Sequence, residues 1–369
     1  MHWDLFCRIV DNYGDVGVCW RLARDLALRG ERVRLWVDDQ GILAWMAPVG
    51  EPGVELQRWH EADDTEPADV VIEAFGCDLP PAFVSKMAAR ATPPLWINLE
   101  YLSAEDFVER NHRLPSPQLA GPGRGLTKWF FYPGFSVRTG GLLREPGLAA
   151  HQQAFDVAGW RAAQGIPADG ARVASLFCYD NPALPALLDA LAAAPSRLLV
   201  CHGPVAQRVR AVMGSATTRG GLTLHYLPPL TQTQFDHLLW ASDLNFVRGE
   251  DTFVRAQWAG RPFVWQTYPQ HDNAHHAKLA AFQALYLADA PASLAAAVGT
   301  LWSQWNGRPA PADAGATTGP TAVTSAPALT LPPPALWAEW QRHGAAWRNH
   351  LLALPDLSSA LRAFAADPR

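Results

Sequence analysis

Two carboxylates, Asp11 and Asp15, lie four residues apart where an apolar run ends and a helical pattern begins. Parallel α/β proteins place their ligand sites at the carboxyl ends of such strands. A phosphate site at a helix start favours glycines and no negative charge, so two acids here predict a site for a base or a cation. The alternative is a helix cap, because Asp is favoured before a helix, and a cap accounts for one of the two acids.

A second strand-to-helix turn, at residues 248–252, carries the opposite chemistry. The Arg248 guanidinium can bind phosphate oxygens through two parallel N–H groups. The backbone N–H groups from Asp251 onward begin a helix whose dipole favours an anion. Glu250 can accept hydrogen bonds from ribose hydroxyls or from an acceptor group. The turn therefore predicts a phosphate site; the alternative is a plain turn with Asp251 as its cap and an Arg–Glu pair on the surface.

Aromatic and amide side chains lie near other predicted strand and helix ends in the second half of the chain. They are Phe177, Tyr179, Gln232 and Phe235. Such side chains can form a pocket for a nucleobase, and the alternative is that the aromatic ones pack in the core.

The stretch YPQHDNAHH raises the question of a metal, because His271 and His275 lie four apart on one helical face, with Asp272 and His276 nearby. No further Cys or carboxylate stands at an obvious ligand spacing. Amides beside acids suit sugar hydroxyls equally well, so we expect no metal and take Gln270 and Asp272 as candidate sugar contacts.

Composition narrows the class of protein. A chain of 369 residues, 49% of them hydrophobic, is about right for two domains with large cores. A net charge of −5 argues against a nucleic-acid partner, which calls for a basic face. Five cysteines without a CxxC pair predict reduced thiols. With no signal-peptide pattern and no apolar run of about 18 residues, we expect a cytoplasmic protein with no membrane contact.

Strand-like and helix-like segments alternate in both halves, which predicts an α/β fold with parallel sheets covered on both faces. A single helix is expected around residues 151–164. The predicted strands are 4–10, 32–37, 54–58, 69–75 and 95–99, then 172–179, 197–201, 222–226, 243–247 and 262–265. The predicted helices are 16–29 and 80–90, then 182–193, 204–213, 231–240, 251–259 and 273–285.

Two tandem Rossmann-like domains follow from this alternation, residues 1–150 and 151–345. Helical spacing resumes over 335–366, and we expect the tail 346–369 to complete the first domain. Residues 306–334, dominated by Ala, Pro, Thr and Gly without periodicity, predict a mobile linker or a surface excursion.

Three stretches carry a resemblance to one family: DNYGDVGVCWRLAR, SLFCYDN at 175–181, and NFVRGEDTFVRAQWAGRPFVWQTYPQHDNAH at 245–275. The chain resembles the bacterial elongation factor P arginine rhamnosyltransferases over nearly its whole length, least in 306–334. The resemblance implies the GT-B architecture, with two domains facing across a cleft. It implies that the first domain binds the protein acceptor and the second binds the nucleotide sugar dTDP-β-L-rhamnose. It further implies an inverting, metal-independent transfer to one arginine of elongation factor P.

The resemblance also assigns roles to residues. Asp11 and Asp15 match the essential aspartates of the acceptor-facing domain, and our hypothesis is that Asp15 is the general base while Asp11 holds the guanidinium. Glu250 is a rival for part of the catalytic work. The remaining matches are donor contacts: Arg248, Glu250, Asp251 and Thr252 (where Ser is frequent in the family), Tyr179 and Gln232, and Phe177 and Phe235 for the thymine.

Two other functions fit the residues. One is another nucleotide-sugar enzyme of the same fold, either a small-acceptor glycosyltransferase or an epimerase, because a fold does not specify one function. The other is a non-catalytic adaptor that binds a basic partner through Asp11 and Asp15.

Overall fold

The computed structural model describes residues 1–10, 14–269, 274–307 and 329–368. The chain packs into two compact units. Unit 1 comprises Met1–Ala149 and Leu351–Arg369, and unit 2 comprises Ala150–His350. The chain therefore leaves unit 1 once and returns to it for its last helix.

Unit 1 is built on a seven-stranded sheet in the order β3-β2-β1-β4-β5-β7-β6, parallel except for the β6–β7 pair. Its strands are β1 His2–Cys7, β2 Arg32–Val37, β3 Val54–Arg58, β4 Val70–Ala74, β5 Leu95–Leu99, β6 Leu114–Pro117 and β7 Thr127–Phe131. Its helices are α1 Gly14–Leu28, α2 Leu43–Met46, α3 Pro81–Ala89 and α4 Phe107–Asn111, and the tail adds α14 Leu357–Ala366.

Successive side chains of β1 point to opposite faces of this sheet, as a strand requires. Leu5 packs in the cluster that contains the buried residues of α1 and α14. Phe6 packs in the other cluster, stacked on Trp36 with ring centroids 5.3 Å apart and in contact with Phe83 of α3. Both faces are therefore covered, which is why the consecutive residues Leu5, Phe6 and Cys7 are all apolar and buried.

The C-terminal tail is an integral part of unit 1. Asp356 caps α14 by accepting the Ser359 N–H at 2.9 Å, and it also pairs at 2.9 Å with Arg29, which directly follows α1. Arg362 pairs with Glu31 at 2.7 Å. Phe364 packs against Trp129 of β7 with ring centroids 5.4 Å apart. These contacts attach the tail to the segment that follows α1 and to β7.

Unit 2 is built on a six-stranded sheet in the order β10-β11-β9-β8-β12-β13, parallel except for the β10–β11 pair. Its strands are β8 Arg172–Leu176, β9 Ser196–Val200, β10 Thr218–Arg219, β11 Leu222–Tyr226, β12 Leu244–Arg248 and β13 Phe263–Gln266. Helices α5 Leu148–Ala154 and α13 Trp337–Leu352 cross the unit boundaries. The others are α6 Val157–Ala163, α7 Leu184–Ala192, α8 Pro204–Met213, α9 Gln232–Ala241, α10 Asp251–Ala259, α11 Ala274–Tyr286 and α12 Ala292–Trp305.

The structure departs from the sequence-based expectations in several places. Strands β6, β7 and β10 were not among the predicted strands. The single helix expected at 151–164 is two, α5 and α6, because Asp156 caps α6 by accepting the Gly159 N–H at 3.0 Å. The expected first strand, 4–10, ends at Cys7. Helix α12 was not predicted, and within the proposed insert 306–334 the residues 308–328 lie outside the described part of the chain.

In the described ranges, no helix combines the length and the apolar composition needed to cross a bilayer.

The docking of the tail generates a prediction. Gly141 has φ +72°, and a Cβ at this position would run into the backbone oxygen of Pro355. Gly50 has a similar φ of +67°, yet a Cβ there would meet nothing within 4 Å. We expect Gly50→Ala to cost about 1 kcal/mol through backbone strain alone, and Gly141→Ala to cost about 3 kcal/mol or more because the tail must shift as well.

Denaturant unfolding of both variants measures this difference in the free energy of unfolding. Equal losses for the two variants would show that the contact between Gly141 and the tail contributes nothing beyond glycine conformation.

Candidate functional site

Asp15 lies in the first turn of α1, at the carboxyl end of β1, and only 3% of its surface is exposed. Its Oδ2 accepts the backbone N–H of Val10 at 2.9 Å. Asp15 is the second residue of the helix and not its N-cap, so the alternative of a helix cap does not account for this acid. Asp11, the other acid that the sequence predicted for this site, lies outside the described residues.

Two aromatic residues that sequence reasoning missed lie next to Asp15. The Tyr101 hydroxyl donates to Asp15 Oδ1 at 3.5 Å. The Tyr101 ring stacks on Phe75, with centroids 4.3 Å apart and planes inclined by 12°. Phe75 directly follows β4, and Tyr101 lies two residues after the end of β5. Both therefore lie at the same carboxyl edge as Asp15. Their positions just after predicted strands could have marked both residues as site candidates from the sequence.

Two further acids, the buried Glu73 and the half-buried Glu100, lie at this edge of the unit 1 sheet. Burial raises the pKa of Glu73, although Lys128 pairs with it at 2.6 Å. Burial likewise raises the pKa of Glu100, which accepts a hydrogen bond from the Asn98 amide at 2.8 Å. The Asn98 side-chain oxygen in turn accepts the Gly76 N–H at 3.2 Å. Glu73 therefore already has a cationic partner in Lys128, whereas the half-buried Glu100 is an acceptor that solvent can reach.

The cysteines take no part in this chemistry. All five are buried and none forms a disulfide. Burial raises the pKa of Cys178 and of Cys201 to about 12, and it raises the pKa values of Cys19 and Cys77 as well. Such thiols stay protonated near neutral pH and are poor nucleophiles.

Hydrogen bonds from Thr252 and Trp265 fix the backbone of the second predicted turn, which follows β12. The Thr252 hydroxyl accepts the Arg248 N–H at 3.2 Å and donates to the Arg248 carbonyl at 2.5 Å. Gly249 has φ +62°, which a glycine adopts without strain, and its carbonyl accepts the Trp265 indole N–H at 2.8 Å. Asp251 is the first residue of α10 rather than its cap. The assignment of Asp251 as the helix cap is therefore wrong.

Arg248 is buried, with 7% of its surface exposed, so it does not belong to a surface ion pair. Its guanidinium carbon lies 4.4 Å from the centroid of the Phe177 ring and 4.3 Å from that of Tyr179. Rings on a guanidinium stabilise its charge and leave the in-plane N–H groups to bind an anion. Four predicted residues meet here, because the Phe177 ring also contacts that of Phe235 at 5.5 Å.

These aromatic side chains are half-buried rather than part of the core. A fourth ring, that of Tyr268, contacts Tyr179 with centroids 5.4 Å apart and was not singled out from the sequence. Its place two residues after β13 and before a proline was the available indication.

A buried ion pair sets helix α9 against helix α10. Arg255 donates to both carboxylate oxygens of Asp236, with Nε–Oδ1 at 2.8 Å and Nη2–Oδ2 at 2.7 Å. Helix α9 carries the predicted donor contacts Gln232, its first residue, and Phe235. The pair thus fixes these residues relative to Thr252 on α10.

Asn306, which the sequence assigned to the insert, supports the same edge. Its amide donates to the Trp265 carbonyl at 2.9 Å, and its side-chain oxygen accepts the Thr267 N–H at 3.3 Å. The residue belongs structurally to the end of α12, because its N–H closes on that helix.

The candidate sugar contacts Gln270 and Asp272, together with His271, lie outside the described residues. His275 and His276 lie in the first turn of α11, with rings 4.2 Å apart. Across the described ranges, no three His, Cys, Asp or Glu side chains come together as a metal-binding group. The absence of a metal requirement stays a prediction.

Comparison with known proteins decides the family. The model of the family "Elongation-Factor P (EF-P) rhamnosyltransferase EarP" matches residues 3–366. The chain belongs to this family. Its members include proteins named protein-arginine rhamnosyltransferase from Pseudomonas putida, 46% identical over 97% of both chains, and from Pseudomonas aeruginosa, 43% identical over 99% of both.

A family member of known structure extends the comparison to the fold. The structure described as "Structural basis for EarP-mediated arginine glycosylation of translation elongation factor EF-P" superposes with a TM-score of 0.65, at 33% identity over 100% of this chain and 99% of that one. The calicheamicin glycosyltransferase CalG4 shares the fold, with a TM-score of 0.52 at 14% identity over 99% of this chain and 97% of that one. The predicted GT-B class of α/β fold and the predicted glycosyltransferase class of enzyme are both confirmed.

The α9–α10 ion pair generates a prediction for this EarP-family chain. Arg255→Met leaves the Asp236 carboxylate buried without its principal partner, and we expect a loss of about 3–5 kcal/mol in the free energy of unfolding. The double variant Asp236→Leu, Arg255→Met removes both charges and should lose less than the single one. Urea unfolding of the two variants measures this order, and a double variant as unstable as Arg255→Met would contradict it.

Proposed function

We propose that this EarP-family enzyme transfers rhamnose from dTDP-β-L-rhamnose to an arginine side chain of elongation factor P, with inversion at the anomeric carbon. One observation carries the proposal beyond the family name. The chemistry is divided by charge: unit 1 presents a buried carboxylate, Asp15, at its strand edge, whereas unit 2 presents a buried guanidinium, Arg248, at its own. A cationic acceptor and an anionic donor need this division.

The donor belongs to unit 2 in this proposal. The Arg248 guanidinium and the N-terminal backbone of α10 bind the diphosphate, since both favour an anion. Phe177 and Phe235 contact the thymine. Tyr179, Gln232, Glu250 and Asp251 complete the nucleotide and sugar contacts, with Gln270 and Asp272 on the sugar.

The acceptor belongs to unit 1. A guanidinium is a poor nucleophile because its pKa lies above about 12, so one nitrogen must be oriented and must lose a proton as the new bond forms. Asp11 holds the cation, and Asp15 accepts that proton. Glu250 is a rival for part of this work.

In this proposal the transfer is a single displacement at the anomeric carbon. The acceptor nitrogen attacks the anomeric carbon from the side opposite the nucleotide, a C–N bond forms, and the C–O bond to dTDP breaks with its electron pair. The proton of the attacking nitrogen goes to Asp15. Attack opposite the leaving group inverts the anomeric configuration. The positive charge of Arg248 and the dipole of α10 stabilise the departing dTDP, so the reaction needs no metal.

Because the donor is a nucleotide sugar and the acceptor is a translation factor, we place the reaction in the cytoplasm. The decisive experiment incubates the chain with dTDP-β-L-rhamnose and elongation factor P, without added metal and with EDTA. Mass spectrometry should find one deoxyhexose on an arginine. No mass change with both folded substrates saturating would reject the proposal, and a product only on a small acceptor would point to another nucleotide-sugar enzyme.

Replacing Arg248 tests the donor site. Arg248→Lys keeps the charge but loses the planar fork that lies against Phe177 and Tyr179, so we expect dTDP to bind about 10- to 100-fold more weakly. Arg219→Lys, a partly exposed arginine of the same unit paired with Asp189, is the matched control and should leave the affinity unchanged. Isothermal titration calorimetry with dTDP measures both. Unaltered affinity in Arg248→Lys would remove Arg248 from the donor site.

Replacing Asp15 tests the base. Asp15→Asn should lower the single-turnover rate about 10²- to 10⁴-fold, because the amide cannot take the proton from the guanidinium. Its dTDP affinity should stay at the wild-type value because the donor site lies in unit 2, and a wild-type urea unfolding curve would show that unit 1 is folded. The exposed Asp63→Asn serves as the carboxylate control within unit 1. If Asp15→Asn kept most of the wild-type rate, Asp15 would not be the base.

A further inference from the structure

The stacked pair of Phe75 and Tyr101 adjoins the buried carboxylate of Asp15. Tyr101 donates its hydroxyl proton to Oδ1 at 3.5 Å, while the Val10 N–H donates to Oδ2 at 2.9 Å. Both carboxylate oxygens are therefore held, one by the backbone and one by a side chain. Tyr101 is 39% exposed although Asp15 is 3% exposed, so solvent and ligands reach the tyrosine ring at the edge of a buried charge.

The backbone beneath this pair is strained. Phe75 has φ +60°, a left-handed conformation that bulky residues rarely adopt and that costs on the order of 1–3 kcal/mol. Its N–H donates to the Leu99 carbonyl at 2.7 Å, and the next N–H, of Gly76, donates to the Asn98 side chain at 3.2 Å. The fold thus imposes this conformation through two bonds to β5. Strain of this kind concentrates at ligand-binding and catalytic sites.

From these contacts we propose that Phe75 and Tyr101 form the subsite for the acceptor guanidinium, an inference that rests on the proposed function. The exposed Tyr101 ring lies against the flat guanidinium, and the Tyr101 hydroxyl orients Asp15 toward the attacking nitrogen. Phe75 holds the tyrosine ring in place by stacking. Phe75 is a positioning residue, while Tyr101 both contacts the acceptor and positions the base.

The chemistry of the acceptor favours this arrangement. A guanidinium is planar and weakly hydrated, so it gains from stacking on an aromatic face in a way that the compact, strongly hydrated ammonium of lysine does not. A ring beside a carboxylate offers the flat surface and the counter-charge together. The subsite therefore contributes to the choice of arginine over lysine.

Two substitutions separate the two roles of Tyr101. Tyr101→Phe keeps the ring and loses the hydroxyl, so we expect kcat to fall about fivefold while KM for elongation factor P stays within about twofold. Tyr101→Leu loses the ring as well, and its KM for elongation factor P should rise about 3- to 30-fold. KM for the nucleotide sugar should not change in either variant. A purely structural role would not produce this split.

Trp45→Leu is the matched control, because Trp45 is an aromatic residue of the same unit with the same exposed fraction of 39%. It should alter neither constant. An unchanged kcat in Tyr101→Phe would overturn the positioning role. An unchanged KM for elongation factor P in Tyr101→Leu, or a raised KM for the nucleotide sugar instead, would overturn the acceptor contact.

The wild-type enzyme separates this inference from the proposed function. If the wild type modifies no elongation factor P, the proposed function fails, whatever the variants do. Calorimetric binding of elongation factor P to the wild type and to Tyr101→Leu, without donor, still decides the subsite. Weaker binding by Tyr101→Leu supports it, and equal binding or no binding to either protein rejects it.

Discussion

The buried guanidinium of Arg248 is the constraint around which unit 2 is arranged. A charge removed from water is costly unless other groups stabilise it. Here the rings of Phe177 and Tyr179 contact the guanidinium at 4.3–4.4 Å. The Thr252 hydroxyl holds the arginine backbone. The Trp265 indole donates to the carbonyl of Gly249, the residue after Arg248, and the Asn306 amide donates in turn to the Trp265 carbonyl. The cation is thus positioned before any ligand arrives, and preorganised charge of this kind is what stabilises a leaving diphosphate.

Unit 1 applies the same principle with the opposite sign. The buried Asp15 carboxylate is held by the Val10 N–H and the Tyr101 hydroxyl. Parallel strands gather these groups, because β1, β4 and β5 are neighbours in the sheet and all end at one edge. The residues that follow these strands therefore lie together although they are far apart in sequence. Unit 1 has a buried carboxylate at its strand edge and unit 2 has a buried guanidinium at its own, which suits a reaction between a cationic acceptor and an anionic donor.

Much of this could be predicted from local pattern. The βαβ alternation predicted all the strands except β6, β7 and β10, and all but one of the longer helices, since apolar periodicity is a local property. The turn chemistry singled out Asp15 and Arg248 as candidates, and both prove to be buried charges at strand edges. What failed was long-range. Helix α12 was missed, and Asn306 was assigned to the insert, because its role depends on a hydrogen bond to Trp265 about forty residues away. Tyr101 was missed because its partner, Asp15, lies 86 residues away along the chain.

The sequence by itself determined the type of fold, the family, and the kinds of side chain that stand at the two strand-to-helix turns. Residue type, spacing and periodicity are local properties of the sequence, so they can be recognised without knowledge of distant contacts. Only the tertiary structure decided that Arg248 lies between two rings, that the Arg255–Asp236 pair fixes α9 to α10, and that Phe75 adopts a strained conformation beside Asp15. These features depend on which segments pack together, and that choice is made by burial and hydrogen bonding across the whole unit rather than by any local stretch.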